Sequence, residues 1–172
     1  MLKKLKEIQI GSKRLYISPL MESDAAFVLH LFNTKGWLEF IGDRNIHNIN
    51  DAQQFISNAC ENSNACLWVV CLIEKPNKPI GLITLIKREY LVFPDIGYAL
   101  LPNSMGNGYA KEAVEQLIQK IASLQLFEKI NAITLPNNTS SIKLLEKLNF
   151  KFEHKFTEKN EELFLYQLSI AV

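Results

Sequence analysis

Three apolar runs separated by short turns, followed by a glycine-bracketed turn into a long amphipathic stretch, constrain this chain more than any other feature. The runs are "CLWVVCLI" (66–73), "PIGLITLIK" (79–87) and "PDIGYALL" (94–101), the first two joined around the turn "EKPNK". Their length, their β-branched content and the turn formers between them predict a strand meander. Pro102 ends the third run, and Gly106 and Gly108 bracket Asn107. Beyond them Ala110, Ala113, Val114, Leu117, Ile118 and Ile121 recur at helical spacing, which predicts a helix over about 106–124 with one buried face. A meander that hands over to a helix lacks the strict alternation of a doubly wound sheet.

The remaining segments extend this pattern. "RLYISPL" (14–20) reads as a short strand stopped by Pro19, and Ser23 or Asp24 can cap a helix running to about Asn33. Residues 34–50 are rich in turn formers and read as irregular, although they carry Trp37, Phe40 and Ile41. Asp51 opens a second helix to about Ser63. A strand over 129–135, a well-capped helix within 137–150 and two closing strands, "KFEHKF" and "LFLYQLSI", complete the order β-α-α-β-β-β-α-β-α-β-β. That order predicts an α/β fold of the α+β type, with a mixed, mostly antiparallel sheet of about seven strands flanked by about four helices. At 172 residues the chain is expected to form one domain, 1–172, burying roughly 70% of its unfolded surface.

Composition narrows the function classes. A net charge of +1 argues against nucleic acid or an anionic membrane as partner. The start "MLKKLKEIQI" is basic, but Glu7, Lys13 and Arg14 interrupt any apolar signal core, and no stretch approaches the ~20 apolar residues of a membrane span. A cytoplasmic location is expected. Cys60, Cys66 and Cys71 form no disulfide framework, and with His30, His47 and His154 they match no metal-ligand spacing, so no metal is expected. Cys66 and Cys71 read as small core residues.

The glycine turn is either a plain connector or an anion site, because a helix N-terminus exposes unpaired N–H groups and a positive dipole end. With 7 glycines in 172 residues the spacing G-x-G decides little by itself. It is not a Walker A loop, since no Lys-Ser/Thr follows. It is not a dinucleotide fingerprint either, since Lys111 stands where the third small residue belongs and the preceding strand is the third of a meander.

"DIGYALLPNSMGNGYAKEAV" resembles the acetyl-coenzyme A loop and flanking strand of the GNAT N-acetyltransferases. The family pattern is Arg/Gln-x-x-Gly-x-Gly/Ala, with its glycines at Gly106 and Gly108; Asn103 at the lead position removes one side-chain contact and leaves the backbone cradle. The wording P-x-x-x-G-x-G-Y-A-x-E-A resembles the branch that includes the ribosomal-protein N-terminal acetyltransferases. So do "RLYISPLMESDA" (14–25, with Ser18 where Arg is common), "IGLITLI" (80–86) and "NNTSSIKLLEKLNF" (137–150, with Asn149 for the usual Gly). The resemblance covers about residues 13–170.

The resemblance implies a GNAT fold, acetyl-CoA as cosubstrate and an amine acceptor attacked directly in a ternary complex, by a monomer or homodimer. It implies that the strand residues Ala99, Leu100 and Leu101 pair with the pantetheine arm. It places the pyrophosphate on Met105, Gly106, Asn107, Gly108, Tyr109 and Ala110, with further cofactor contacts from Asn138, Ser141 and Leu144. Gly97 marks a bulge or a close backbone approach, and a main-chain N–H near Leu100 is an oxyanion donor. Asp95, where relatives carry Glu, is the first candidate for the base and Glu39 the second. Ser141 is either the proton source for the thiolate or a first-turn cap, with Leu145 where many relatives have Tyr; Asn138 serves as N-cap, as ligand or as both. Trp37, Glu39 and Phe40 border the acceptor site or, for the aromatics, anchor their loop in the core. Tyr98 is expected to pack. The acceptor implied is an amine such as the N-terminus of a ribosomal protein, with antibiotics, polyamines and amino acids as alternatives. A non-catalytic acetyl-CoA-binding module on the same fold is the competing reading.

Overall fold

Alternating side chains sort this chain onto the two faces of one sheet, in a computed structural model that describes residues 2–170. After a single 3-10 turn come β1 (Ile10–Gly11) and β2 (Leu15–Pro19), then α1 (Ala25–Phe32), α2 (Lys35–Phe40) and α3 (Ile49–Glu61). The meander is β3 (Ala65–Leu72), β4 (Lys75–Ile86) and β5 (Asp95–Leu100). α4 (Tyr109–Ser123), β6 (Lys129–Thr134), α5 (Thr139–Lys147), β7 (Lys151–Glu158) and β8 (Glu161–Ser169) follow. The strands form an eight-stranded sheet in the order β1-β2-β3-β4-β5-β6-β8-β7, with every pair antiparallel except β5–β6.

β3 shows why the central runs are continuously apolar. Cys66, Trp68 and Val70 enter a core shared with α4 and α5, whereas Val69 and Cys71 enter a second core shared with α1, α2 and α3. A strand covered on both faces has no polar side. β5 divides in the same way, with Ile96 and Tyr98 toward the α4–α5 core and Ala99 toward the other. Cys66 and Cys71 are buried, and burial pushes both thiols up to about 11, while Cys60 is exposed. A maleimide reagent at neutral pH is therefore expected to label the native chain once, at Cys60, and mass spectrometry showing rapid labelling at Cys66 or Cys71 would contradict this packing.

The expected strand and helix counts were each one short. The extra strand is the two-residue β1, too brief to show a period. The extra helix is α2, inside the stretch expected to be irregular. Thr34 caps it by accepting the Trp37 amide at 3.4 Å, and Trp37 stacks on Phe32 with ring centroids 3.7 Å apart. That packing outweighs Gly36 and a length that is marginal for an isolated helix. Asn149, in place of the usual Gly, follows α5 with φ +65°, a left-handed conformation that Asn tolerates.

Candidate active site

The anion loop is built by two glycines in a conformation that other residues resist. Gly106 and Gly108 both have φ +77°. A methyl on Gly106 would meet nothing within 4 Å, so its requirement is conformational and the space beside it is open. Gly108 is the N-cap of α4 and offers no side chain, so the first N–H groups of the helix lack an internal cap and carry the positive dipole end. α4 starts three residues later than expected because these left-handed residues precede it. Asn107 braces the turn, its Nδ2 donating to the Met105 carbonyl at 3.0 Å.

A clasp behind the loop escaped sequence reasoning. Nε of Arg14 donates to Oε2 of Glu112 at 2.7 Å, and Nη1 donates to the Asn107 carbonyl at 3.0 Å. The guanidinium also lies 4.7 Å over the Tyr109 ring. Ser12 Oγ donates to Oε1 of Glu112 at 2.7 Å. Partial burial alone would raise the Glu112 carboxyl; the Ser12 and Arg14 hydrogen bonds outweigh it and hold the group below the usual range. In a trans peptide the C=O and N–H point in opposite directions. Tethering the Asn107 carbonyl to Arg14 therefore turns the Gly108 N–H away from Arg14, toward the open side. Ninety-eight residues separate Arg14 from Glu112, and no local pattern in the sequence joins them.

A split in the sheet leads away from this loop. β5 and β6 are paired at Asp95↔Asn131 alone, with the Asn131 amide donating to the Pro94 carbonyl at 2.8 Å. β5 stays fully paired with β4 on its other edge, from Ile86↔Asp95 to Gly81↔Leu100, with no bulge at Gly97. The close-approach expectation holds there, since a Cβ on Gly97 would stand 2.6 Å from Thr84 Oγ1. Main-chain groups alternate edges along a strand. The Leu101 amide bonds to β4 through the Ile80 carbonyl, so by alternation the Tyr98 and Leu100 main-chain groups face the split. Tyr98 and Leu100 thus line one wall of a slot with their main-chain groups, whereas those of Ala99 and Leu101, expected to share this role, are turned toward β4.

α5 presents polar groups to the α4–α5 side of β5. Asn138 Oδ1 accepts the Ser141 amide at 3.1 Å and so caps α5. Capping is thus done by Asn138 through the Ser141 main chain, which leaves the Ser141 hydroxyl for other work. That hydroxyl lies 3.0 Å from Tyr98 Oη, which is also 3.3 Å from the Ser141 carbonyl. Burial pushes the Tyr98 phenol up to about 12 despite the Ser141 hydrogen bond, so it stays neutral. Tyr98, expected only to pack, is the partner of Ser141; the two are 43 residues apart and no spacing rule connects them. Leu144 is partly buried beside them, and Leu145, where relatives carry Tyr, is a core residue.

The surroundings of the other candidates differ. Asp95 is buried at 5% exposure with both carboxylate oxygens engaged. Oδ2 is bound by Arg88 Nε and Nη2, each at 2.8 Å, and Oδ1 accepts the Ile133 amide at 3.1 Å. Trp37 is buried at 7% exposure against Phe32, so it anchors α2 and does not line an open pocket. Phe40 is half-buried and Glu39 is exposed. On the sheet face away from α4 and α5, Tyr90, Phe93, Asn131, His154, Phe156 and Leu165 line a groove of about 430 Å³. Among the described residues no group of three or more His, Cys, Asp or Glu gathers as a metal site, and no helix is long and apolar enough to cross a membrane.

The comparisons with known proteins agree with this geometry. The family description "Acetyltransferase (GNAT) domain" matches residues 14–151. An uncharacterized N-acetyltransferase, p20, of Bacillus licheniformis is 48% identical over 60 residues; the match spans 34% of this chain and 33% of that relative's length. Among solved structures, the microcin C7 self-immunity acetyltransferase MccE in complex with acetyl-CoA and AMP superposes with a TM-score of 0.80 at 18% identity, over 92% of this chain and 94% of its own. The ribosomal-protein-S5-alanine acetyltransferase of Vibrio fischeri gives a TM-score of 0.79 at 21% identity, over 95% and 97%. At these identities the structural likeness speaks for the fold.

Proposed function

The chain belongs to the GNAT acetyltransferase family, and on that premise we propose that it forms one domain, 1–172 with a core of about 13–170, that moves the acetyl group of acetyl-CoA to a primary amine. The observation that carries this reading is the parting of β5 from β6 after one pairing, in a strand that leads by a short loop to an uncapped helix N-terminus at the Gly106–Gly108 turn. The loop N–H groups and the α4 dipole hold the pyrophosphate, the dipole adding ~0.3–1 kcal/mol per charge. The pantetheine arm completes the β5 ladder through the main chain of Tyr98 and Leu100.

In the transfer step the amine nitrogen attacks the thioester carbon. A C–N bond forms, the C–S bond breaks, and a main-chain N–H of β5 facing the slot stabilises the oxyanion. The departing thiolate takes its proton from the Ser141 hydroxyl, which Tyr98 holds in place and which regains a proton from water, so that the proton shed by the amine is balanced by the one gained on the thiol. The amine enters from the face opposite α4 and α5 and, with Asp95 occupied, sheds its proton to water there. The acceptor class we propose is a protein N-terminal amine such as that of a ribosomal protein. Its support is the resemblance of Pro102–Ala113 and of the flanking segments to that branch, together with the likeness to the S5-alanine enzyme.

Free-thiol release from acetyl-CoA tests the reading, with N-terminal peptides and small amines as separate panels. Tight coenzyme A binding with no turnover on any amine would favour the binding-module alternative. Ser141→Ala is expected to lower kcat about a hundredfold or more with coenzyme A affinity within about threefold, the acid's share of the step. Because Asn138 caps through the main chain, this variant keeps its melting temperature; a folding defect without a rate defect would return Ser141 to a structural role. Tyr98→Phe is expected to show a smaller loss that is not additive with it.

A further inference from the structure

The split between β5 and β6 needs a cause, because both strands carry main-chain groups able to pair. In a continuing parallel ladder the Ile133 amide, two residues beyond the Asn131 pairing, would be directed at the Ile96 carbonyl. It is bonded instead to the Asp95 carboxylate, whose oxygen stands 3.1 Å from it. The side chain of the last paired residue thus takes the donor that would extend the ladder. Arg88, just beyond the end of β4, grips the other carboxylate oxygen twice and fixes the carboxylate's orientation.

We propose that Asp95 is a positioning residue that ends the β5–β6 ladder and sets the width of the slot for the pantetheine arm, with Arg88 holding it in place. This rests on the acetyl-CoA reading for the slot's occupant, but the wedge itself is a property of the protein alone. Its logic separates charge from shape. Asparagine at this position keeps an oxygen for the Ile133 amide, whereas alanine frees that amide to zip toward Ile96.

Three measurements on the full chain test this together. Coenzyme A affinity is read by calorimetry for wild type, Asp95→Asn and Asp95→Ala. Turnover is read for each. The Ile133 amide resonance is followed from pH 4 to 8 without ligand. The expected results are an Ile133 shift that titrates in wild type and not in Asp95→Asn, and coenzyme A affinity that Asp95→Asn retains within threefold. Asp95→Ala binds at least tenfold more weakly, and turnover falls less than tenfold in Asp95→Asn. A hundredfold loss of turnover in Asp95→Asn with binding intact would make Asp95 the base and overturn the proposal. Undiminished affinity in Asp95→Ala, or an Ile133 resonance that is the same in wild type and Asp95→Ala, overturns it as well. Should wild type bind no coenzyme A, the acetyl-CoA reading fails by itself while the Ile133 resonance still decides the wedge.

Discussion

Gly106→Asp is expected to weaken coenzyme A binding at least a thousandfold while leaving the fold standing. Two effects act in the same direction. The position has φ +77°, where an L side chain costs about 1–2 kcal/mol. The new carboxylate would also stand beside the pyrophosphate, and two unit charges about 4–5 Å apart repel by roughly 3–4 kcal/mol at an effective dielectric near 20. Each ~1.4 kcal/mol is a factor of ten in affinity, so together these amount to roughly three to four decades. Stability falls by no more than that conformational cost of about 1–2 kcal/mol, because a Cβ there meets no atom within 4 Å and the residue is exposed. Gly106→Asn isolates the backbone effect, since Asn tolerates left-handed φ and adds no charge; a loss of about tenfold or less is expected. Calorimetry on both variants, with circular dichroism to confirm folding, provides the check. An Asp variant that binds like wild type would remove the pyrophosphate from this loop.

How much of this site could be read in advance depended on range along the chain. Gly106 and Gly108 declared themselves, because a turn requirement is local and few residues meet it. The apolar runs of β3, β4 and β5 declared themselves for the same reason, burial on both faces leaving no polar positions. What stayed hidden was every contact joining distant segments. Arg14 meets Glu112 behind the loop, Tyr98 meets Ser141 across the slot, and Asp95 meets Ile133 where β5 parts from β6. None of these pairs has a period or a spacing. α2 failed for a related reason, since Trp37 on Phe32 supplies what six residues containing a glycine cannot supply by propensity. Asp95 shows the cost most plainly. Its place at the start of β5 was legible, and its occupation was decided by Arg88 and Ile133.

That occupation has a signature in pH, and Arg88→Met is expected to expose it. Burial raises the Asp95 carboxyl to about 6 even though Arg88 pulls it down. With an unfolded value near 3.8, the folded state holds the proton more tightly, so this group lowers stability as pH climbs from about 4 through 6. A carboxyl raised this far costs ~3 kcal/mol of stability above that window and nothing below it. Removing Arg88 deletes the attraction and leaves the burial, so the carboxyl rises further and the deficit grows at neutral pH. Breaking a buried pair in this way costs about 3–5 kcal/mol. The melting-temperature gap between wild type and Arg88→Met should therefore be widest near pH 8 and shrink toward pH 4.5, where Asp95 is protonated in both folded proteins. Asp95→Asn in the Arg88→Met background should recover most of it, because the amide needs no counter-charge. Glu158, which accepts the Tyr90 hydroxyl at 3.0 Å and adds to the upward push on Asp95, is the other carboxylate facing the pair. Glu158→Gln in both backgrounds separates the effect of its charge from that of Asp95. A gap of equal size at pH 4.5 and pH 8 would mean that Arg88 works by packing its stem, with the charge on Asp95 playing no part.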